Sequence, residues 1–268
     1  HEFPLFPYSP VAGSSALPAA VPSVCLGPVC AGASPTTGCR CRPCIAGDTG
    51  WSLPIRPWRR HTGPMRGPPV IYGLDIETDT TVDGLDPAVS PVVTVALSTP
   101  ADDEVFVGPE PGLLAALDDH LRSLEPGVIA TWNGAAFDLP FLADRAAHCG
   151  LDLGLRLAPD PTVVLGRGPL PGHAGAYRAT WYDHGHVDAY RVYRGDVGRV
   201  LHVSCSLKAI ARMVGLTPIE VDRERIHELS PAALDAYVAS DARLARILAE
   251  RRWPGVARCV DLSVTPHQ

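Results

Sequence analysis

The spacing of apolar residues changes character near residue 70. From Val70 to Ile76 the chain reads as one buried strand, broken near its end by Asp75 and Glu77. Pro91 to Ser98 reads as a second strand, through Val92, Val93, Val95 and Leu97, and Glu104 to Val107 as a third. Short polar links between the three predict antiparallel neighbours. Leu113, Leu114, Leu117, Leu121 and Leu124 recur at helical spacing, so Pro111 to Leu124 is expected to be a helix with proline in its first turn. A short strand follows at Val128–Thr131. A helix from about Asp138 to His148 comes next, with Gly150 as its stop. Residues 151 to about 178 keep neither period and read as a long irregular loop. A strand around His186–Tyr190 is expected next. Helices at Ser204–Val214 and Pro231–Arg252 complete the order, the last capped by Ser230. Antiparallel strands first and a parallel pair later predict an α/β fold, a mixed sheet flanked by helices.

Residues 1–68 are rich in Pro, Gly, Ala and Ser and show no sustained period. Such a segment buries too little apolar surface to offset its ordering entropy, and is expected to be a disordered extension. It holds five of the eight cysteines (Cys25, Cys30, Cys39, Cys41 and Cys44). A zinc site there is the alternative, weakened by irregular spacing and interrupting prolines. Residues 69–255 form the expected domain and 256–268 a tail. No run reaches the roughly 20 apolar residues of a membrane helix. The cysteines of the body stand singly in apolar or helical surroundings, which suits reduced thiols and a cytoplasmic protein.

Charge is unevenly spread. Val70 to Leu157 carries 15 acids against 3 arginines, whereas Ala158 to Gln268 carries 14 bases against 12 acids. An acidic half suits metal ligands, and an arginine-bearing half suits phosphates. The net charge of −6 does not suggest a histone-like binder. Lys208 is the only lysine, which reads as compositional bias.

Four acids fit poorly into purely structural roles. Asp75 and Glu77 share one face of a strand, where paired carboxylates repel unless a cation holds them. A solvated turn is the plainer explanation of that pair alone. Asp138 follows the fourth strand at a helix start, where the helix dipole favours an anion, so a simple cap also explains it. Asp241 lies within an apolar stripe of Leu234, Tyr237, Val238, Leu244 and Leu248. There it needs a partner, a metal or an arginine such as Arg212. Asp188 is expected to bond a nearby loop or arginine. His184 and His186 are expected on a strand or loop surface rather than as metal ligands.

Asp75-x-Glu77, Asn133-x3-Phe137-Asp138 and Tyr237-x3-Asp241 together resemble the four-acid (DEDD) 3′-5′ exonucleases in their tyrosine branch. Further segments, Trp132-Asn133-Gly134, Gly185-His186-Val187-Asp188 and Ser206-Leu207-Lys208, most resemble the proofreading exonuclease domain of family B DNA polymerases and its stand-alone relatives. The resemblance spans about Val70 to Arg252, with no room after it for a polymerase domain. It implies a ribonuclease H-like mixed sheet of five strands. It also implies two Mg²⁺ or Mn²⁺ ions, about 3.5–4 Å apart, held by Asp75, Glu77, Asp138 and Asp241. Tyr237 would orient the attacking water. Thr78, Asn133 and Phe137 would meet the substrate, the 3′ end of a single strand, expected to be DNA with RNA possible. Nucleoside 5′-monophosphates would be released, and a separate polymerase is a conceivable partner. Arg191, Arg194 and Arg199, with the loop 151–178, would guide the strand. The alternative is an inactive nuclease-fold module that binds nucleic acid or a polymerase.

Overall fold

A computed structural model of the chain describes residues 69–166 and 168–261. The N-terminal extension and its five cysteines lie outside the described residues. Seven strands form one mixed sheet: β1 (Ile71–Thr78), β2 (Val92–Ser98), β3 (Asp103–Val107), β4 (Val128–Thr131), β5 (Leu155–Pro159), β6 (Tyr177–Trp181) and β7 (His184–Asp188). Their spatial order is β3-β2-β1-β4-β7-β6-β5. β1 pairs antiparallel with β2 and parallel with β4, and β4 pairs parallel with β7. Five contiguous strands therefore reproduce the expected mixed sheet, consistent with a ribonuclease H-like fold. The antiparallel β5–β6 pair extends it at one edge, with β5 inside the stretch expected to be irregular and β6 at its end.

The helices are α1 (Glu110–Ser123), α2 (Asp138–His148), α3 (Ala189–Tyr193), α4 (Arg199–Leu201), α5 (Leu207–Met213) and α6 (Pro231–Asp261). A π-helical turn, Arg194–Gly198, joins α3 to α4. The strand expected at 186–190 lies two residues earlier, because Ala189 and Tyr190 already belong to α3. α6 runs to Asp261 rather than ending at Arg252, since Val256 is buried against Ile71 and Ala249 and holds the added turns. Among the described residues no helix is long and apolar enough to cross a membrane.

Side-chain alternation along β1 divides the core. Tyr72, Leu74 and Ile76 pack on one face against α1 and α2. Each buried leucine of α1 contributes about 1.5–3 kcal/mol through burial. The other face is covered by α6, with α3 and α5 beyond it. Asp118 of α1 ties the extra edge to the core. Its buried carboxylate accepts bonds from Trp181 Nε1 (2.7 Å) and Gly154 N (2.7 Å), and from the Tyr182 hydroxyl.

Candidate functional site

The strand β1 presents Gly73, Asp75 and Glu77 to α6. At Gly73 the helix lies directly on the strand: an added Cβ would run into the Ala242 carbonyl. Asp75 pairs across the sheet with Ala96, which packs on Val238 and Ala242. Asp75 therefore stands beside the turn of α6 that carries Asp241. Glu77 pairs with Thr94, whose buried hydroxyl has no hydrogen-bond partner. β1 also outruns its parallel neighbour, since pairing with β4 ends at Gly73 opposite Ala130. The exposed strand edge is taken by the corner that joins β4 to α2.

That corner is built tightly. Asn133 adopts a left-handed conformation, φ 74°. Its carbonyl accepts from the N–H groups of Ala136 (3.0 Å) and Phe137 (3.1 Å). Gly134 lies against the Thr131 side chain with no space for a Cβ. Asp188, at the end of β7, accepts from the Asn133 N–H at 2.9 Å and from the Ala135 N–H. Its other oxygen faces Arg191 Nε at 3.4 Å. The structural role expected for Asp188 is borne out. Arg191 is buried in that pairing and faces inward, not toward a passing strand.

Asp138 opens α2 and is buried, accepting from the Ile76 N–H on the free edge of β1. Burial, then the charges of Asp188 and Glu77, push its carboxyl up to about 7 despite that bond. The helix dipole expected to favour the anion is outweighed, because desolvation penalises the charged form more strongly at this depth. Burial likewise pushes Asp188 up to about 6, against the pull of Arg191.

Asp241 is 2% exposed and Tyr237 is 1% exposed, one turn apart on α6. The partner of Asp241 is Lys208, which pairs with it directly and holds its ammonium 4.4 Å from the Tyr237 ring centre. Arg212, the alternative considered from sequence, pairs instead with Glu220. Lys208 is the residue that sequence reasoning passed over. It is the second residue of α5, and no local pattern there points to a buried acid on another helix. The Ser206 hydroxyl caps α5 at Ala209 N.

The remaining candidates are engaged within the fold. The Thr78 hydroxyl donates to the Gly84 carbonyl at 2.6 Å. Phe137 is half-buried, its ring 5.4 Å from that of Phe141. His184 is buried, not at a surface, and bonds the Leu121 carbonyl at 2.8 Å through Nε2. His186 shares a 2.8 Å bond with the Thr131 hydroxyl. Among the described residues no three His, Cys, Asp or Glu side chains converge closely enough, as they stand, to hold one ion. Glu77 and Asp188 lie near enough to Asp138 to raise its carboxyl, and Lys208 pairs with Asp241.

Three comparisons bear on this arrangement. Residues 99–210 match the exonuclease domain of DNA polymerase family B. That exonuclease-domain match takes in Asn133, Phe137, Asp138, Asp188 and Lys208, while Asp75, Glu77, Tyr237 and Asp241 lie outside it. The chain is 31% identical over 137 residues to the catalytic subunit of DNA polymerase epsilon from Saccharomyces cerevisiae, covering 50% of this chain and 6% of that protein. It is 34% identical over 151 residues to the corresponding protein of Schizosaccharomyces pombe, covering 52% and 6%. The chain thus spans about 6% of the length of these curated relatives. The family B DNA polymerase from the archaeon Pyrobaculum calidifontis shares the fold, with a TM-score of 0.58 and 24% identity, over 75% of this chain and 26% of that one. The chain carries a domain that resembles the proofreading exonuclease domain of family B DNA polymerases, and the resemblance drawn from its motifs is borne out at that level.

Proposed function

We propose that the chain is a metal-dependent 3′-5′ exonuclease that releases nucleoside 5′-monophosphates from single-stranded ends, with DNA the expected substrate. One observation carries the reading. The corner from β4 to α2 lies inside the exonuclease-domain match and sets Asp138 against β1, the strand that carries Asp75 and Glu77 and that α6, with Asp241, covers. The donor chemistry suits Mg²⁺ or Mn²⁺. The oxygens are hard, Asp138 is crowded by Glu77 and Asp188, and the buried Thr94 hydroxyl opposite Glu77 has no partner. Asp75, Glu77, Asp138 and Asp241 would hold two ions. Bound there, they would supply a nucleophilic water at neutral pH and neutralise charge on the phosphate and leaving oxygen.

The chain's own groups do the positioning. The corner from Asn133 to Asp138, braced by Asp188, fixes one acid against β1. Tyr237 presents its hydroxyl to the attacking water as a hydrogen-bond partner. Lys208 pairs with Asp241, holds its ammonium over the Tyr237 ring, and would offer a cation to a phosphate oxygen when a strand is bound. Asn133 and Phe137 flank the terminal nucleotide, and the Thr78 hydroxyl shapes the loop beside it.

The test is degradation of a 5′-labelled single-stranded DNA with Mg²⁺ or Mn²⁺, beside an RNA strand of the same sequence and an Asp241→Ala control. A ladder shortening from the 3′ end, lost with EDTA and in the variant, is expected. The pairing of Lys208 with Asp241 favours one second reading, an inactive nuclease-fold module that binds nucleic acid or a polymerase. Intact substrate under both metals would select it.

A further inference from the structure

Ion pairing accounts for most of the described arginines. Among the described side chains ten arginines face a carboxylate, and Arg194, Arg199 and Arg251 do not. Arg251 donates to the Val214 carbonyl at 2.9 Å, closing the end of α5. Arg194 and Arg199 remain, both exposed, at the two ends of the π-helical turn. Its register explains their relation. The Arg199 N–H bonds the Arg194 carbonyl, so the two residues stand one turn apart on the same flank. In a regular α-helix a five-residue spacing would turn them well away from each other.

The surroundings of this flank are aromatic and apolar. Arg194 donates to the Tyr190 hydroxyl at 2.8 Å and lies over that ring, 5.8 Å from its centre. Val200 and Leu201, 72% and 59% exposed, follow directly. Apolar side chains beside unpaired cations fit neither a solvated face nor a core. The flank is continuous with the candidate site. The Tyr190 ring is 6.2 Å from that of Trp132, which precedes Asn133. Gly166 of the β5–β6 connection lies against Arg194, and that connection's Val163 and Leu165 pack on Ala135 and Ala136, next to Asp138.

We propose that Tyr190, Arg194 and Arg199, with Val200 and Leu201, form the track for a single-stranded nucleic acid on the 5′ side of its terminal nucleotide. The guanidinium groups would meet successive phosphates, and the tyrosine and apolar side chains would meet base faces. The inference rests on the exonuclease reading for its polarity, and its test needs no turnover.

The full chain, in EDTA, is titrated against a 5′-fluorescein-labelled 12-nucleotide oligothymidylate, with anisotropy read across a series of KCl concentrations. Arg194→Gln with Arg199→Gln is expected to weaken binding about tenfold and to flatten the slope of log affinity against log salt by about 1.4, two contacts' worth. Arg194→Lys with Arg199→Lys is expected to recover the slope but not all the affinity, since an ammonium lacks the planar stacking face. Val200→Glu, a change outside the core, is expected to weaken binding through the lost base contact and repulsion of the phosphates. Unchanged affinity and slope in the double Gln variant would overturn the proposal and give the patch to a protein partner. An inactive parent that still binds as expected would sink the exonuclease reading and leave this track standing.

Discussion

Lys208 and Asp241 form a buried pair, their side chains 10% and 3% exposed. Removing one member of such a pair leaves a charge without compensation, at a cost of about 3–5 kcal/mol. Lys208→Met should therefore lower the unfolding midpoint clearly, and Lys208→Met with Asp241→Asn should regain most of the loss. If the acids take up divalent ions, Mg²⁺ should restore the single variant more than it raises the parent, because the ion replaces the missing ammonium. Calorimetric scans of the three proteins with EDTA and with Mg²⁺ decide it, and equal Mg²⁺ effects would count against a metal at Asp241. At this scale much was legible in the sequence. An acid inside an apolar stripe announces a buried partner, and Asp241 has one. The partner's identity was not legible, because Lys208 lies 33 residues away on another helix. Only packing of α5 on α6 brings them together. Asp138 misled in a different way. Its place at a helix start was clear, but burial depth, which sets its proton affinity, is invisible in a local pattern.

The fit of α6 on β1 depends on one missing side chain. Gly73 lets the Ala242 carbonyl come down onto the strand, and a Cβ there would also crowd the Arg246 Cβ at 2.9 Å. Backbone cannot give way as a flexible side chain can, so Gly73→Ala should cost about 1–3 kcal/mol by overpacking. It should also lift Asp241 away from Asp75 and Glu77, and so reduce nuclease activity at temperatures where the variant remains folded. Urea unfolding and the strand-shortening assay check the two parts, and full activity would show that the acids do not depend on this contact. The elements themselves follow strong local patterns: α2 begins and ends as its periodicity indicates, at Asp138 and His148. β5 and β6 escaped notice because a long connection separates them and prolines, glycines and charged residues surround them. Their stability comes from the pairing of Leu155 with Trp181 and from Asp118 beneath, both non-local.

Across the whole molecule, burial has set several ionisable groups against water, and they pull stability in opposite directions with pH. Burial pushes the His186 imidazole down to about 3, so the folded state keeps it neutral. An unfolded histidine takes its proton near 6.5. The folded form therefore binds fewer protons between those values, and His186 costs stability as pH falls through that window. Glu110 acts in the same sense. Burial alone would raise its carboxyl, but bonds from Arg145 and the Val92 N–H hold it below the ordinary value. The stability it lends is present above its unfolded pKa and lost as pH falls through the folded one. Asp138 and Asp188 oppose both, since values of about 7 and about 6 mean that each costs stability as pH rises from the ordinary carboxylate range to those values. The parent's profile is a sum of these terms, and a substitution is needed to isolate one. Gln at position 186 can keep a hydrogen bond to Thr131 without a titrating ring. Between pH 6.5 and 4, the stability of His186→Gln relative to the parent should rise by about 1.4 kcal/mol for each unit of acidification, one proton's worth. Parallel profiles for the two proteins would mean that His186 titrates as it does in water, and that the site between β4 and β7 is wetter than its packing indicates.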